Sequence, residues 1–335
     1  RELAQQIAEE LTGLTYFMPE VQVVCVYGGA NMEKQAKRLA EGCQIVVATP
    51  GRLMDHYKHH NIDLDHVTQV VLDEADEMLN MGFSDSINEI FEGVPADRNT
   101  LLFSATMSRE VERVAKGYLH DYKEIVVGSR NEGAENVNHV YYMVNAKDKY
   151  LALKRIVDFY PKIYAIVFCR TKIGVDEVAT RLVAQGYSAE GLHGDVSQAQ
   201  REKILRKFRD KAVNILVATD VAARGIDVSN LSHVINYSLP QDSESYVHRI
   251  GRTGRAGNQG TAITFISGAE LRRFNWMMRD IKADIKRETL PSPQDIVAMK
   301  RAKIKDDLQE IVANESYGDY ADIAAELLES YAPDV

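Results

Sequence analysis

Apolar residues recur along this chain in two rhythms. Short runs rich in β-branched residues, Val21 to Val26, Ile45 to Ala48, Val70 to Leu72, Leu101 to Phe103 and Ile125 to Val127, read as strands. Between them, stretches such as 31 to 41 and 108 to 118 repeat their apolar positions at helical spacing. Strands alternating with helices predict βαβ units and a parallel sheet. From Gly128 to Asn136 the chain is polar, holds two glycines and has no periodicity, which predicts a flexible linker and two units that tumble nearly independently without ligand. The alternation then resumes, with strands near 139 to 144, 164 to 168, 188 to 192, 213 to 218, 233 to 237 and 261 to 266. Helices near 149 to 159, 172 to 186, 197 to 210 and 242 to 250 separate them.

After about residue 268 the strand pattern stops. A basic helix to about 287, a break at Leu290-Pro291-Ser292-Pro293 and two further helices are expected, with Ile296, Met299, Ile304, Leu308, Ile311 and Val312 on one face and Ile323, Leu327 and Leu328 on another. From Pro291 onward four basic residues stand against ten acidic ones, which suits a docking or dimerising surface better than a grip on nucleic acid. The pattern therefore divides into an α/β unit at 1–128, a linker at 129–137, a second α/β unit at 138–268 and a helical extension at 269–335.

Composition supports this division. A chain of 335 residues with 45% hydrophobic content can bury two cores, and one core of that size would be unusual. The net charge of −9 excludes a protein that simply coats nucleic acid, although local cationic stripes remain possible in an acidic chain. Cys25, Cys43 and Cys169 lie singly in or beside apolar runs, without zinc spacing or an even disulfide set, and read as thiols of a reducing cytoplasm. No apolar run approaches the roughly 18 residues that a membrane span needs. Leu3, Ile7 and Leu11 already mark a helical stripe with no cap residue before it, so the chain is expected to start inside a protein.

The chemistry gathers at strand ends. Val70 to Leu72 runs directly into Asp73-Glu74-Ala75-Asp76. Taken alone this also reads as a solvated acidic helix start. In an open α/β sheet, however, ligands bind beyond the carboxyl ends of strands, where such acids can hold a metal and a polyphosphate. Ser104 and Thr106 end the next strand with hydroxyls placed to relay to Asp76. The segment His248-Arg249-Ile250-Gly251-Arg252-Thr253-Gly254-Arg255 sets three arginines three apart among glycines, forked donors suited to a polyphosphate. An arginine supplied across a cleft stabilises a transferring phosphoryl group. Gly225 and Asp227 suit a nucleotide edge. Gly28-Gly29, Thr49-Pro50-Gly51-Arg52, His193-Gly194, Gln198 with Arg201, and Thr219 place polar or cationic groups at the same sheet edges and fit a groove that tracks a polynucleotide backbone. His56, His59, His60 and His66 lack the carboxylate or cysteine set of a metal site and read as a solvated helix end and loop.

Together these segments resemble the DEAD-box RNA helicases over nearly all of residues 1 to 268. The resemblance implies two RecA-like parallel-sheet domains in tandem, the first incomplete, followed by a short helical extension. It implies ATP and Mg2+ as cofactors and RNA, held by its sugar-phosphate backbone, as partner. By the family pattern Asp73 holds Mg through water, Glu74 activates the attacking water, and Asp76 bonds to Ser104-Ala105-Thr106 and the second domain. Asp227 touches the nucleotide, and Arg252 and Arg255 act as arginine fingers. Arg1, Arg170 and the groove residues named above match RNA-side motifs, and the extension is similar to the dimerisation region of the bacterial cold-shock subgroup. The family's G-x-x-x-x-G-K-[ST] phosphate loop has no match between residues 1 and 335, and about 70 further residues would supply it. The expectation is a fragment that does not hydrolyse ATP at a useful rate on its own. The rivals are a DNA translocase of the same superfamily, a non-catalytic RNA scaffold, and a metal-dependent nuclease, which leaves the arginine turn unexplained.

Overall fold

A computed structural model describes residues 1–126, 136–223, 226, 228, 231–254 and 258–313, with isolated positions at 323, 325, 326 and 329. In the first unit α1 (Glu2–Leu14) leads to β1 (Val23–Val26), α2 (Met32–Ala40), β2 (Ile45–Ala48) and α3 (Pro50–Lys58). Then come β3 (Gln69–Leu72), α4 (Ala75–Asn80), α5 (Ser84–Gly93), β4 (Asn99–Leu102) and α6 (Arg109–Tyr118). Pro50 at the first turn of α3 and Asn31, whose side chain accepts from Lys34 N, start their helices in the way free N-terminal amides favour.

The strands of this unit form two parallel pairs, β1 with β2 and β3 with β4. Leu72, Leu79, Ile87, Phe91 and Val111 are buried behind the second pair. Its other face is open: Val71 is 54% exposed and Leu101, its partner in register, 43%. The run Val70 to Leu72 is therefore not buried on both faces, because alternate side chains point to opposite faces and only one is covered. Ile125 and Val126 are also exposed and form no strand, since no neighbouring strand offers them a ladder; Val127 and the linker segment up to 135 lie outside the described residues.

The second unit is built on β5 (Val137–Met143), α7 (Lys149–Phe159), β6 (Ala165–Phe168), α8 (Lys172–Ala184), β7 (Ala189–Leu192), α9 (Gln198–Arg209) and β8 (Ile215–Ala218). It continues through α10 (Asp220–Ala223), β9 (His233–Asn236), α11 (Ser243–Ile250), β10 (Gly260–Ile266), α12 (Leu271–Asp280) and β11 (Ile285–Glu288). These strands make one seven-stranded parallel sheet in the order β11-β5-β10-β9-β6-β8-β7. β6, β8 and β9 are buried along their whole length, as strands covered by helices on both faces must be. The expected basic helix to 287 stops at Asp280, and Ile285 to Glu288 pair with His139 to Tyr142 as an edge strand. The second unit thus runs to Glu288 and does not end at 268.

α13 (Pro293–Ala313) follows and packs on α7, with Lys300 Nζ 3.8 Å from Asp158 Oδ1. The second tail helix falls almost wholly outside the described residues. The two units touch through the cross-domain pairs described below.

Candidate functional site

The open face of the first unit and the strand ends of the second enclose a cleft of about 1290 Å³. Asp73 and Glu74 line it from β3, and Arg252 lines it from the turn after α11. Arg1, Gly28 and the Thr49 to Arg52 turn line it from the first unit, and His193, Gly194, Gln198 and Arg201 from the second. Residues as far apart in sequence as Arg1 and Arg252 thereby share one wall system.

Backbone geometry places the acids. Glu74 has φ 53, a left-handed value that costs a side-chain-bearing residue about 1 kcal/mol and turns β3 sharply into α4. Asp73 is exposed, and its Oδ1 accepts from Glu74 N at 3.0 Å, leaving oxygen capacity toward the cleft. Asp76 is buried instead. Its Oδ2 accepts from the backbone N and hydroxyl of Thr106, both at 2.7 Å, and its Oδ1 accepts from Glu77 N at 3.0 Å. The ladder continues past both strands, with Phe103 N donating to Leu72 O and Ala75 N to Phe103 O, which is what brings Thr106 against Asp76. Ser104 does not reach Asp76; its hydroxyl donates to Thr106 O at 2.6 Å.

His248, on α11 of the second unit, meets this cluster. Nε2 lies 3.2 Å from Asp76 Oδ2, and Nδ1 lies 3.5 Å from Glu77 Oε1 and 3.8 Å from Glu74 Oε2. The Nε2 approach is short but falls outside strict hydrogen-bond alignment. Burial alone pushes the Asp76 carboxyl up, but His248 and the two Thr106 donors outweigh it and hold it at about 2. Burial likewise pushes His248 down, yet Asp76, Glu77 and Glu74 raise it above its ordinary value.

The three arginines of the motif do not share one role. Arg249 is buried, with Nε and Nη2 gripping Asp220 at 2.5 and 2.8 Å and Nη1 donating to Asn236 Oδ1 and Ser238 O. Its guanidinium also lies 4.9 Å from the Phe168 ring centroid. It pins α11 to the strand ends. Arg252 faces the cleft and donates to Ile226 O at 3.1 Å. Arg255, Gly225 and Asp227 lie outside the described residues.

Of the residues expected to track a polynucleotide backbone, Arg1 lies across Gly29, where an added Cβ would stand 2.6 Å from its Nη1 and where φ is +87. Arg52 is half-committed inside its own unit, donating to Ala30 O and Gln35 Oε1. Arg170 is exposed, and Gln198 donates to Glu202 of its own helix at 3.1 Å. The His193 ring sits 2.9 Å from Asp176. Thr219 receives Ala222 N at 3.4 Å. Arg201 lines the cleft and is also engaged within the protein. Its Nε donates to Glu2 of the first unit and its Nη2 to Ala222 O at 2.5 Å, with 11% of the side chain exposed. It ties the units together and has little surface left for a ligand. Glu2, its partner, lies in the Arg1-Glu2-Leu3-Ala4 segment that resembles an RNA-side motif, but nothing in the sequence marks it as a partner for Arg201. His56 is likewise no solvated residue: it is buried between Gln35 and Asn61.

Comparison with known proteins follows the same lines. Residues 1–114 match the DEAD/DEAH box helicase domain and residues 148–257 the helicase conserved C-terminal domain. The chain is 45% identical over 331 residues to ATP-dependent RNA helicase CshA of Listeria monocytogenes, covering 99% of this chain and 64% of that protein. It is 44% identical to DEAD-box ATP-dependent RNA helicase CshA of Geobacillus kaustophilus, covering 99% and 71%. The chain thus spans about two thirds of the length of these relatives. Among solved structures, Saccharomyces cerevisiae Dbp5 bound to RNA and ADP BeF3 superposes with a TM-score of 0.78 at 27% identity, covering 90% of this chain and 78% of that one. A DEAD box protein from Methanococcus jannaschii gives 0.51 at 43% identity, covering 86% and 77%. The two RecA-like domains of such structures correspond to the two α/β units.

Proposed function

Because the chain belongs to the DEAD-box family of ATP-dependent RNA helicases, we propose that it binds ATP in the cleft between its two units and couples ATP hydrolysis to local unwinding or remodelling of RNA. The observation that carries this reading is the meeting of the Asp73-Glu74-Asp76 turn with His248 and Arg252 from the other unit. A phosphoryl-transfer site needs a metal-side carboxylate, a base and a cation across the cleft, and one closed arrangement supplies all three. The superposition adds support: the units sit closer to those of a protein holding RNA and ADP BeF3 than to those of a more similar sequence.

Asp73 fits Mg2+. Its carboxylate is a hard, exposed oxygen donor with capacity to spare, and Mg2+ typically keeps several waters while binding one or two carboxylates plus substrate phosphates. When bound, the ion neutralises charge on the phosphates. Glu74, at the cleft edge, accepts the proton of the attacking water, and Asp76 holds Thr106 and His248 so that closure and a completed site coincide. Arg252 stabilises the charge on the γ-phosphoryl group as it passes to water and ADP leaves, with Arg255 as its companion, and Gly225 and Asp227 take the nucleotide edge. Arg1, Gly28, Gly29, the Thr49 to Arg52 turn, Arg170, His193, Gly194, Gln198 and Thr219 form the RNA side, where backbone contacts give binding largely independent of sequence. In this reading Arg201 holds the domains together.

The finer parts of the proposal are a cytosolic location, suited to three separate thiols, and a homodimer through the C-terminal helices. Val297, Ile304 and Leu308 on α13 are 49–60% exposed at spacings of seven and four, a seam a second copy could cover. A Leu308→Glu variant with unchanged mass in sedimentation would argue against that seam. Among the described residues no helix is long and apolar enough to cross a membrane.

The deciding measurement is RNA-stimulated phosphate release by the product of the complete reading frame that encodes this chain. Single-stranded RNA should stimulate it well above single-stranded DNA, and Glu74→Gln should lower the rate by about 10² to 10⁴. Equal stimulation by DNA would favour the translocase, and no release at all would favour a scaffold.

A further inference from the structure

The only tryptophan of the chain stands on the outside of the second unit, away from the cleft. α12 buries Phe274, Met277 and Met278 against the core around Tyr246 and Ile266. At 100° per residue the opposite face carries Arg272, Trp276 and Arg279 at i, i+4 and i+7, one continuous stripe. All three are exposed, Trp276 by 61%. Neither Arg272 nor Arg279 pairs with a carboxylate among the described residues. Arg273 beside them is tethered to Pro240 O at 2.9 Å, and Asp280 is the acid sharing the face.

The surroundings extend the same sign. From Leu271 to Glu288 six cations (Arg272, Arg273, Arg279, Lys282, Lys286 and Arg287) stand against three acids (Asp280, Asp284 and Glu288) in a chain whose net charge is −9. Lys286 and Arg287 lie on β11, the outermost strand of the sheet. Charged residues on an edge strand protect it from pairing. That role accounts for the two strand cations but not for an indole left in water between two unpaired guanidiniums. An exposed aromatic ring flanked by cations is the arrangement on which a base stacks while its neighbouring phosphates are neutralised.

We propose that the Arg272–Trp276–Arg279 face of α12 is a second binding site for single-stranded RNA, separate from the cleft and independent of nucleotide. The occupant is a polyanion with a stackable base, because the site offers both charge and a π face. A flank of the same RNA, or another strand, would be held while the cleft opens and closes. The site rests on the proposed function only in taking RNA as the ligand.

Trp276 is its own reporter. The chain is titrated with single-stranded oligouridylate without nucleotide, reading indole emission, and in parallel reading anisotropy of a labelled strand. Expected is a saturating change in emission that weakens as salt rises. Arg272→Ala with Arg279→Ala, which keeps the indole, should move its midpoint at least tenfold. Trp276→Ala should weaken nucleotide-free anisotropy binding about fivefold or more, and it should leave RNA-stimulated phosphate release of the complete protein intact at saturating short RNA. Unchanged emission while anisotropy shows RNA bound would overturn the proposal, as would an emission change indifferent to the double variant. Equal quenching by polyglutamate would overturn it too, marking a face for acidic protein segments. Failure of RNA to stimulate phosphate release, with the Trp276 response intact, would count against the helicase reading and not against this site.

Discussion

At the scale of single residues, the contact between Asp76 and His248 makes domain closure sensitive to pH. Asp76 is buried, yet His248 and the two Thr106 donors together depress it from 3.8 to about 2, and only the His248 share of that effect belongs to closure, since Thr106 lies in the same unit. A depressed carboxyl contributes above its ordinary value and loses that contribution only as pH falls through about 2. A raised histidine works in the other direction: its contribution is complete below 6.5 and fades as pH rises through its elevated value. Both are present together between 3.8 and 6.5. Closure followed by energy transfer between dyes on the two units, with RNA and a non-hydrolysable nucleotide, should therefore weaken on the alkaline side of 6.5. His248→Gln should remove that slope; if the variant and the native protein weaken in parallel, some other group sets the pH dependence.

At the scale of elements, α11 shows why one motif holds residues of opposite purpose. Its helical turn sends Arg249 inward to Asp220 and Asn236 and presents His248 to the other unit. Removing Arg249 strands a carboxylate and an amide in a largely buried network, so Arg249→Ala should destabilise the second unit by about 3–5 kcal/mol. Arg252→Ala, at the rim with the bond to Ile226 O among its contacts, should cost less, about 1.5–3 kcal/mol, while abolishing RNA-stimulated phosphate release. Thermal unfolding of the two variants side by side tests this, and equal losses of stability would contradict the division of roles. Regular spacing of three arginines was legible in the sequence, but the buried one was not, because no apolar stripe marks the inward side of so polar a segment. Strands with a full apolar run, such as β6 and β8, were legible to within a few residues for the complementary reason. β11 escaped because Ile285 is the one apolar residue in Ile285-Lys286-Arg287-Glu288, as is common for an edge strand. Ile125 and Val126 read as strand by composition alone, and composition cannot supply a partner.

At the scale of the whole molecule, the units are tied at two places on either side of the cleft. One is the acid cluster with His248, beside which Asn80 donates to Glu244 at 3.2 Å. The other is Arg201 with Glu2, where the tie also grips Ala222 on α10, three residues after Thr219 of the proposed RNA side. A side chain that joins α1, α9 and α10 couples the positions of the two units, which a side chain exposed on one unit does not. Glu2 was not legible as its partner, since 199 residues of sequence separate the pair. Hydrogen bonds between charged groups contribute about 1.5–3 kcal/mol, so Glu2→Arg or Arg201→Glu alone should weaken RNA-dependent closure by about tenfold or more. The double variant restores an ion pair with its charges exchanged and should recover a substantial part of that loss. If Arg201 served only to hold phosphate, Arg201→Glu would repel RNA whatever stood at position 2, and the double variant would close no better than the single one.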